Sequence, residues 1–277
     1  MVVVTGASGF IGRAAVAALA RRNSPVFAAS RRALGFDHPV QTAIVTSYAQ
    51  LAPPAADSVL LHLAEPRNLA DAENEGEAYI AERRVALEAL LDKPWSHVIY
   101  ASSAVVYGDT ARVSHRSSDA IAPLAVYARA KAACEADVLS CGGTVARIAN
   151  VYGPGMAMNN IVSDVLKQAS TGGPLTVRNR KPVRDYLWIE DLADGLALLA
   201  TRPKSGIFNF GTGRGISVGG LARTALDCVG QPERAIHASE NERESYLVLD
   251  ISETVERLGW QPKVTIEQGL KRLLGPA

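Results

Sequence analysis

Tyr127 and Lys131 form the pair of side chains in this sequence that is best suited to proton transfer. They stand four residues apart in a stretch predicted to be helical, so they share one helix face. A free phenol loses its proton only near pH ~10, but an adjacent ammonium stabilises the phenolate. The strand predicted upstream ends in Ser102 and Ser103, and a serine hydroxyl can hold a substrate oxygen while the proton moves. Because a Tyr–Lys pair of this spacing also occurs by chance, its meaning depends on the surrounding elements.

A glycine-rich loop is the first of those elements. Residues 5–12 read Thr-Gly-Ala-Ser-Gly-Phe-Ile-Gly, after a β-branched run and before an alanine-rich stretch with helical spacing. Gly6 permits the tight turn, Gly9 lets the backbone approach a pyrophosphate, and Gly12 lets the helix pack closely on the strand. The first amides of the helix then face the phosphates. This strand–turn–helix unit predicts dinucleotide binding, and a glycine turn without a ligand is the alternative.

The end of the second predicted strand bears on the type of dinucleotide. An acidic residue about 20 residues after the glycines binds the ribose of NAD, whereas a nearby arginine accommodates the extra phosphate of NADP. Here Ser30 takes the place of the acid, and Arg31 and Arg32 follow. A guanidinium grips a phosphate with paired hydrogen bonds, so the sequence favours NADP over NAD. The alternative is that both arginines belong to a solvated strand end.

Strands and helices alternate along most of the chain, which predicts an α/β fold with a doubly wound parallel sheet of the Rossmann type and a smaller C-terminal substrate lobe. His62 lies in a buried strand and is predicted to be a hydrogen-bonded core histidine. The predicted nucleotide domain comprises residues 1–150 and about 185–210, and the lobe about 151–184 and 211–277. The predicted strands are 25–29, 41–46, 58–64 and 97–102, and the predicted helices include 77–91, 127–139, 156–171 and 185–199.

Composition limits the remaining classes of function. The 29 basic and 28 acidic residues balance and form no basic tract, which argues against nucleic-acid binding. No apolar run approaches the ~20 residues of a membrane span, and the first strand begins too early for a signal peptide. Cys134, Cys141 and Cys228 have no metal-ligand spacing, so we expect a cytoplasmic protein with reduced thiols and no metal.

Several motifs occur in an order that resembles the extended short-chain dehydrogenases/reductases, in particular the nucleotide-sugar epimerases and dehydratases. The resemblance extends along the chain and rests on these segments: residues 5–12, 62–64, 103–108, Tyr127 with Lys131, 147–155, 183–186, 209–213 and 258–262. It implies that the protein is an enzyme that acts on a small molecule and forms a homodimer through helices like 77–91 and 127–139.

The resemblance also implies residue roles. Ser103, rather than Ser102, matches the catalytic serine. Tyr127 matches the general acid/base, and Lys131 matches the lysine that tunes it and holds the nicotinamide ribose. The implied cofactor contacts are Gly6, Ser8, Gly9, Phe10, Ile11, Gly12, Ser30, Arg31, Leu63, Ala64, Tyr127 and Lys131, and the implied substrate contacts are Ser103, Asn150, Arg184 and Arg243.

This sequence departs from the family pattern at four places. Ala104 and Val105 replace the acid–base pair of the sugar 4,6-dehydratases, which argues against dehydration. The acidic residue expected near the adenine is absent at residues 45–47. Arg83 stands where the family usually has asparagine. Glu65 replaces a small residue close to the expected phosphates, where Arg67 could offset its charge.

We therefore expect an NAD(P)-dependent oxidoreductase or epimerase that acts on a nucleotide-linked sugar at carbon 4. A 4-ketoreductase and a 4-epimerase share this machinery, and the Ser30–Arg31 pattern favours NADPH-dependent reduction. One alternative is a reductase of a small non-nucleotide carbonyl compound. Another is a non-catalytic NADP-sensing regulatory protein, since a fold does not by itself imply a function.

Overall fold

The computed structural model describes residues 1–36, 40–65, 69–110, 112–239 and 243–275. Its strands are β1 (Val2–Thr5), β2 (Val26–Ser30), β3 (Gln41–Ile44), β4 (Val59–His62), β5 (His97–Ser103), β6 (Thr144–Ile148), β7 (Asn150–Tyr152), β8 (Leu175–Val177), β9 (Val183–Trp188), β10 (Gly206–Phe210), β11 (Gly215–Ser217), β12 (Ile236–Ala238) and β13 (Tyr246–Leu247). Its α-helices are α1 (Phe10–Arg21), α2 (Leu69–Glu75), α3 (Glu77–Leu91), α4 (Val126–Ser140), α5 (Ile161–Ala169), α6 (Ile189–Thr201), α7 (Val218–Cys228), α8 (Ser252–Leu258) and α9 (Ile266–Leu274).

A seven-stranded sheet forms the centre of the fold. Its strand order is β10-β6-β5-β4-β1-β2-β3, and every neighbouring pair is parallel. The direction of winding reverses between β1 and β4. In open α/β sheets, ligands bind at the carboxyl ends of the strands beside such a reversal. The predicted Rossmann-type fold is thus confirmed, and the sheet places the glycine loop at this crevice.

The inner strands are apolar on both sides because helices cover both faces of the sheet. All residues of β1 and β4 are buried. α1 and α6 pack together over one face, and α3 and α4 pack together over the other. His62 lies in β4, and its Nδ1 is 2.8 Å from the Thr5 hydroxyl. The prediction of a hydrogen-bonded core histidine is confirmed.

Two predicted helices have different limits in the structure. The helix predicted over 156–171 is α5, which begins only after Asn160. The Asn160 side chain accepts hydrogen bonds from the amides of Val162 and Ser163 and so caps the helix at this point. The helix predicted over 185–199 begins at Ile189, because residues before it form β9 in a second sheet. The hydrophobic spacing at 189–199 was helical, but the four residues before it pair with other strands.

A smaller set of elements packs beside the main sheet. β9 pairs with β7, β11 and β13, while β8 pairs with β12. A second apolar core that includes Tyr152 and Trp188 lies among these strands and α5, α7 and α9. The chain crosses between the two cores, since β9 belongs to the second sheet and β10 to the first. The residue limits of the two predicted lobes stay a prediction.

Candidate active site

The glycine loop is pressed against the carboxyl end of β4. Gly6 has a φ of +66°, and a Cβ at this position would lie 2.9 Å from the Ala64 Cα and the Leu63 carbonyl oxygen. The Leu63 amide donates a hydrogen bond of 3.2 Å to the Thr5 hydroxyl. A Cβ at Gly12 would lie 2.1 Å from the Gly6 carbonyl oxygen. Only glycine fits at Gly6 and Gly12 without movement of the backbone, so the loop closes tightly over the crevice.

The N-terminus of α1 opens at this loop. Gly9 is the N-cap residue, and within the described part of the chain no side chain caps the helix. The first turn, which includes Phe10 and Ile11, contains no acidic residue. Uncapped amides at a helix start bind anions, with the positive end of the helix dipole behind them. This end of the site therefore fits a dinucleotide diphosphate.

The end of β2 is hydrogen-bonded to the glycine loop. The hydroxyl of Ser30 is fully buried and donates a hydrogen bond of 2.7 Å to the Ser8 hydroxyl. It also accepts a hydrogen bond of 3.0 Å from the Arg32 amide. Ser30 thus orders the loop, while the neighbouring Arg31 is exposed and lines a cavity of about 170 Å³ at the strand ends.

This cavity contains two residues that the sequence analysis did not assign to the cofactor site. The Tyr48 hydroxyl accepts a hydrogen bond of 3.2 Å from the Gly6 amide. Tyr48 follows the third strand, so its position after 45–47 was the signal that could have found it. The Arg83 guanidinium lies 5.4 Å from the centre of the Tyr79 ring and forms an ion pair with Glu82. Its Nε is buried and has no hydrogen-bond partner in the described residues.

The predicted proton-transfer residues lie on α4 and β5. Tyr127 is the second residue of α4 and is half-buried, and the Lys131 Nζ lies 5.8 Å from the centre of its ring. Lys131 Nζ donates a hydrogen bond of 2.6 Å to the Ala101 carbonyl oxygen, two residues before Ser103 on β5. α4 packs directly on β5 and on the turn after it. The helix that holds the Tyr–Lys pair is therefore fixed to the strand that carries the serine.

The two serines at the end of β5 have different surroundings. Ser102 is buried, and its hydroxyl donates a hydrogen bond of 2.5 Å to Glu135. Ser103 is half-buried, and among the described residues its hydroxyl accepts only a long contact of 3.5 Å, from the Val105 amide. Neighbouring strand residues face opposite sides. Ser103 is the serine whose hydroxyl is left available for a ligand.

Glu65 lies at the centre of this region rather than on its surface. Its carboxylate forms an ion pair with Lys131 and accepts a hydrogen bond from the Tyr100 hydroxyl. No sequence pattern explains a carboxylate at this position, because its partners come from a different strand and a different helix. The proposed offset by Arg67 lies outside the described residues.

A second cavity, of about 720 Å³, contains two of the predicted substrate residues, Asn150 and Arg184. Arg184 donates hydrogen bonds of 2.8 Å to the Val183 carbonyl oxygen and the Ser245 hydroxyl. Tyr186 also lines this cavity, and its buried hydroxyl has no hydrogen-bond partner in the described part of the chain. A polar cavity with an arginine and an unpartnered hydroxyl suits an anionic, hydroxyl-rich ligand.

Arg243 is not among the described residues that line this cavity. It is exposed, and its carbonyl oxygen accepts a hydrogen bond of 2.7 Å from Asn179. The structure thus brings Asn150 and Arg184 together but does not place Arg243 with them.

In the described residues there is no group of three or more His, Cys, Asp and Glu side chains that could hold a metal ion. Within those same ranges, no helix combines the length and the apolar character that crossing a membrane requires.

Comparison with known proteins places this geometry in a family. Two curated relatives match part of the chain. The trifunctional UDP-glucose 4,6-dehydratase/UDP-4-keto-6-deoxy-D-glucose 3,5-epimerase/UDP-4-keto-L-rhamnose-reductase of Arabidopsis thaliana is 30% identical over 190 residues, which are 64% of this chain and 28% of that protein. The dTDP-L-rhamnose 4-epimerase of Burkholderia thailandensis is 28% identical over 142 residues, which are 47% of this chain and 38% of that protein. The chain thus spans about a third of the length of these relatives.

A solved structure extends the likeness over the whole fold. MoeE5 in complex with UDP-glucuronic acid and NAD superimposes with a TM-score of 0.82 at 23% identity and covers 97% of this chain and 96% of its own. Residues 2–211 match the NAD dependent epimerase/dehydratase family. This match includes the glycine loop, the Tyr–Lys pair and the serine strand described above. The chain therefore belongs to the NAD dependent epimerase/dehydratase family, whose members are enzymes of the extended short-chain dehydrogenase/reductase type.

Proposed function

We propose that this protein oxidises or reduces carbon 4 of a nucleotide-linked sugar, with NADP favoured over NAD. The observation that carries the proposal is the tether between Lys131 and the β5 backbone. It holds the Tyr127–Lys131 pair beside the strand that ends in Ser103, at the same sheet edge as the glycine loop. A bound nicotinamide cofactor would supply the hydride donor or acceptor, and the protein residues would handle the proton.

Each side chain has a distinct task in this proposal. Tyr127 gives or takes the proton of the sugar hydroxyl, because in the described part of the chain its own hydroxyl is engaged in no hydrogen bond. Ser103 holds the same substrate oxygen. Lys131, whose Nζ lies 5.8 Å from the centre of the Tyr127 ring, would hold the ribose of the bound nicotinamide cofactor. Gly9, with the first amides of α1, holds the cofactor diphosphate.

The preference for NADP rests on the residues at the end of β2. No acidic side chain stands at Ser30, and the exposed Arg31 lines the cavity beside it. Arg83 lies in the same cavity, but it is paired with Glu82, and Glu65 lines the cavity as well. Arg31 is therefore the guanidinium on which the preference rests, because it can bind an additional phosphate. The NAD in the MoeE5 structure makes NAD the competing cofactor.

The substrate class rests on the second cavity. Arg184 would pair with the diphosphate of a nucleotide sugar, and Asn150 would bind the sugar or its phosphate. Dehydration is not part of the proposal, because Ala104 and Val105 supply neither acid nor base after Ser103. The names of the two relatives include a keto-sugar reductase and a 4-epimerase, and the roles proposed here for Tyr127 and Ser103 suit either reaction. The 4-ketoreductase is our preferred version, since it fits NADPH.

Two other functions are alternatives to this proposal. A small carbonyl substrate without a nucleotide would not need Arg184, so its turnover would survive loss of this side chain. A regulatory protein that only senses NADP would not need Tyr127. The complete set of Ser103, Tyr127 and Lys131 favours catalysis over sensing.

We further propose that α3 and α4 form a homodimer interface. Ion pairs join the two helices to each other, Arg84 with Asp137 at 2.7 Å and Arg129 with Glu77 at 2.5 Å. Val85 on α3 is 65% exposed, which is large for an apolar side chain. Light scattering would test the proposal, and a Val85→Glu variant should shift a dimer to monomers.

The test of function starts with the purified protein. We would denature it, identify any released dinucleotide, and titrate the emptied protein with NADPH and NADH. Stoichiometric NAD would favour the epimerase and contradict the NADP preference. An empty site that binds NADPH more tightly would favour reduction of 4-keto nucleotide sugars.

The same assay would use two tyrosine variants. Tyr127→Phe should lower kcat by about 10²–10⁴-fold without weakening NADPH binding by more than a few-fold. Tyr152→Phe is the matched control, because its hydroxyl lies in the second core and contacts the Thr265 carbonyl oxygen. Full activity of Tyr127→Phe would refute the catalytic proposal.

A further inference from the structure

The buried carboxylate of Glu65 is held at both of its oxygens. Oε2 forms the ion pair with the Lys131 ammonium, and Oε1 accepts the hydrogen bond from Tyr100. The exposed fractions of the two charged side chains are only 15% for Glu65 and 6% for Lys131. Burying two charges is costly unless they are paired and hydrogen-bonded, and here both conditions are met.

Both groups are charged at neutral pH. Burial raises the pKa of Glu65, but the Lys131 ammonium and the hydrogen bonds from Lys131 and Tyr100 bring that pKa below its ordinary value. Burial lowers the pKa of Lys131, but the Glu65 carboxylate, followed by Tyr127, raises that pKa above its ordinary value. The pair therefore contributes a positive and a negative charge with no net charge.

The pair also fixes the direction of the ammonium. Lys131 has three N–H donors, of which one faces Glu65 and one is bonded to the Ala101 carbonyl oxygen. Its Nζ lies 4.6 Å from the centre of the Tyr100 ring, which is a cation–π distance. Tyr100 thus contacts both members of the pair. With respect to the described residues, one donor of Lys131 remains for a cofactor ribose hydroxyl.

Charge near the nicotinamide matters because the oxidised ring is positive and the reduced ring is neutral. An unpaired lysine beside the ring would disfavour the oxidised form. A carboxylate next to that lysine cancels the effect. We propose that Glu65 is a positioning residue that orients Lys131 and, by cancelling its charge, favours the oxidised over the reduced cofactor.

This inference rests on the proposed function, which supplies the class of cofactor. It adds that the site favours the oxidised form of that cofactor over the reduced form. If the oxidised form is favoured, the bound reduced form is a stronger hydride donor. Such a bias suits reduction of a 4-keto sugar. It also suits the second half of an epimerisation, in which hydride returns to the sugar.

The test compares the affinities of the emptied protein for NADP⁺ and NADPH, measured by isothermal titration calorimetry. Glu65→Gln keeps the size of the side chain but leaves the Lys131 charge uncompensated. We expect the ratio of the Kd for NADP⁺ to the Kd for NADPH to rise about tenfold. Glu135→Gln is the matched control, since it also breaks a buried ion pair of α4, with Arg147, but among the described residues the Glu135 carboxylate forms no ion pair with Lys131.

A ratio within about twofold of the wild-type value in Glu65→Gln would overturn the inference. The double variant Glu65→Gln/Lys131→Met removes both charges and avoids an unpaired buried ion, so it serves if the single variant does not fold. The inference predicts a wild-type ratio for the double variant. A roughly tenfold fall of this Kd ratio in the double variant would mean that only the Lys131 charge acts on the cofactor. That result would also overturn the inference.

The binding measurements separate this inference from the proposed function. If the wild-type protein binds neither NADP nor NAD in either form, the proposed function fails and the inference fails with it. If it binds both forms and the ratio does not respond to Glu65, only the role of Glu65 is refuted.

Discussion

Replacing Gly12 by alanine is the most direct test of how the glycine loop is built. A Cβ at this position would lie 2.1 Å from the carbonyl oxygen of Gly6, 2.8 Å from its carbonyl carbon and 2.9 Å from the Ala7 Cα. All three are backbone atoms, so no side-chain rotation relieves the contact. The start of α1 must move away from the loop by about 1 Å to restore an ordinary contact distance.

The expected loss of stability follows from two opposing terms. Alanine is better than glycine inside a helix by about 1 kcal/mol. Overpacking costs about 1–3 kcal/mol, and more where a whole element must shift. Ala15, Val16 and Leu19 of α1 are fully buried, so a displaced helix disturbs the main core. We expect a net loss of about 2 kcal/mol, which lowers the Tm by about 4–8 °C.

Urea unfolding followed by circular dichroism would measure this loss, and titration with NADPH would measure binding. Because the first amides of α1 move with the helix, we expect the affinity to fall at least about tenfold. Gly172→Ala is the control, since apart from its chain neighbours no described residue lies within 4 Å of the Cβ it would gain, and its φ is not positive. It should stay within about 0.5 kcal/mol of wild type. A Gly12→Ala protein with wild-type stability and NADPH affinity would refute the reasoning.

Three further predictions concern single side chains. Burial lowers the pKa of His62 from 6.5 to about 4, so the stability it contributes is complete above pH 6.5 and is lost as the pH falls to about 4. This loss is about 3 kcal/mol, and urea unfolding of His62→Asn should show a correspondingly weaker pH dependence. Glu135→Gln should lower the free energy of unfolding by about 3 kcal/mol, because it breaks the two-pronged buried pair with Arg147. Arg184→Ala should raise the KM for a nucleotide sugar about tenfold, whereas Arg243→Ala, outside the cavity, should change it less than about twofold.

Each of these three predictions has a clear contrary result. An unchanged pH dependence of unfolding in His62→Asn would mean that another group titrates in this window. A loss below about 1 kcal/mol in Glu135→Gln would mean that the pair is solvated or replaced by a neutral contact. Equal effects of Arg184→Ala and Arg243→Ala would mean that Arg243 also reaches the substrate.

The sequence predicted the elements of the fold well where local patterns are strong. The helix predicted over 77–91 is α3 with the same limits, since its start and end depend on neighbouring residues. The buried strand predicted over 58–64 contains β4. The predicted start of α5 was wrong, because the Asn160 side chain caps the helix and makes it begin later. The predicted start of the next helix was also wrong, because the residues before it pair with other strands as β9.

In the site, the amino-acid order predicts the features that depend on residues close together in the chain. The glycine loop needs particular backbone angles and close approach, and Tyr127 and Lys131 share a face because a helix turns every 3.6 residues. The partners of Glu65 were decided only by the tertiary structure, which brings Tyr100 from β5 and Lys131 from α4 to one carboxylate. Tyr48 likewise reaches Gly6 only because β3, β2 and β1 lie side by side. Local spacing fixes which side chains share an element, but the packing of separate elements fixes which charges meet, and no pattern within one element contains that information.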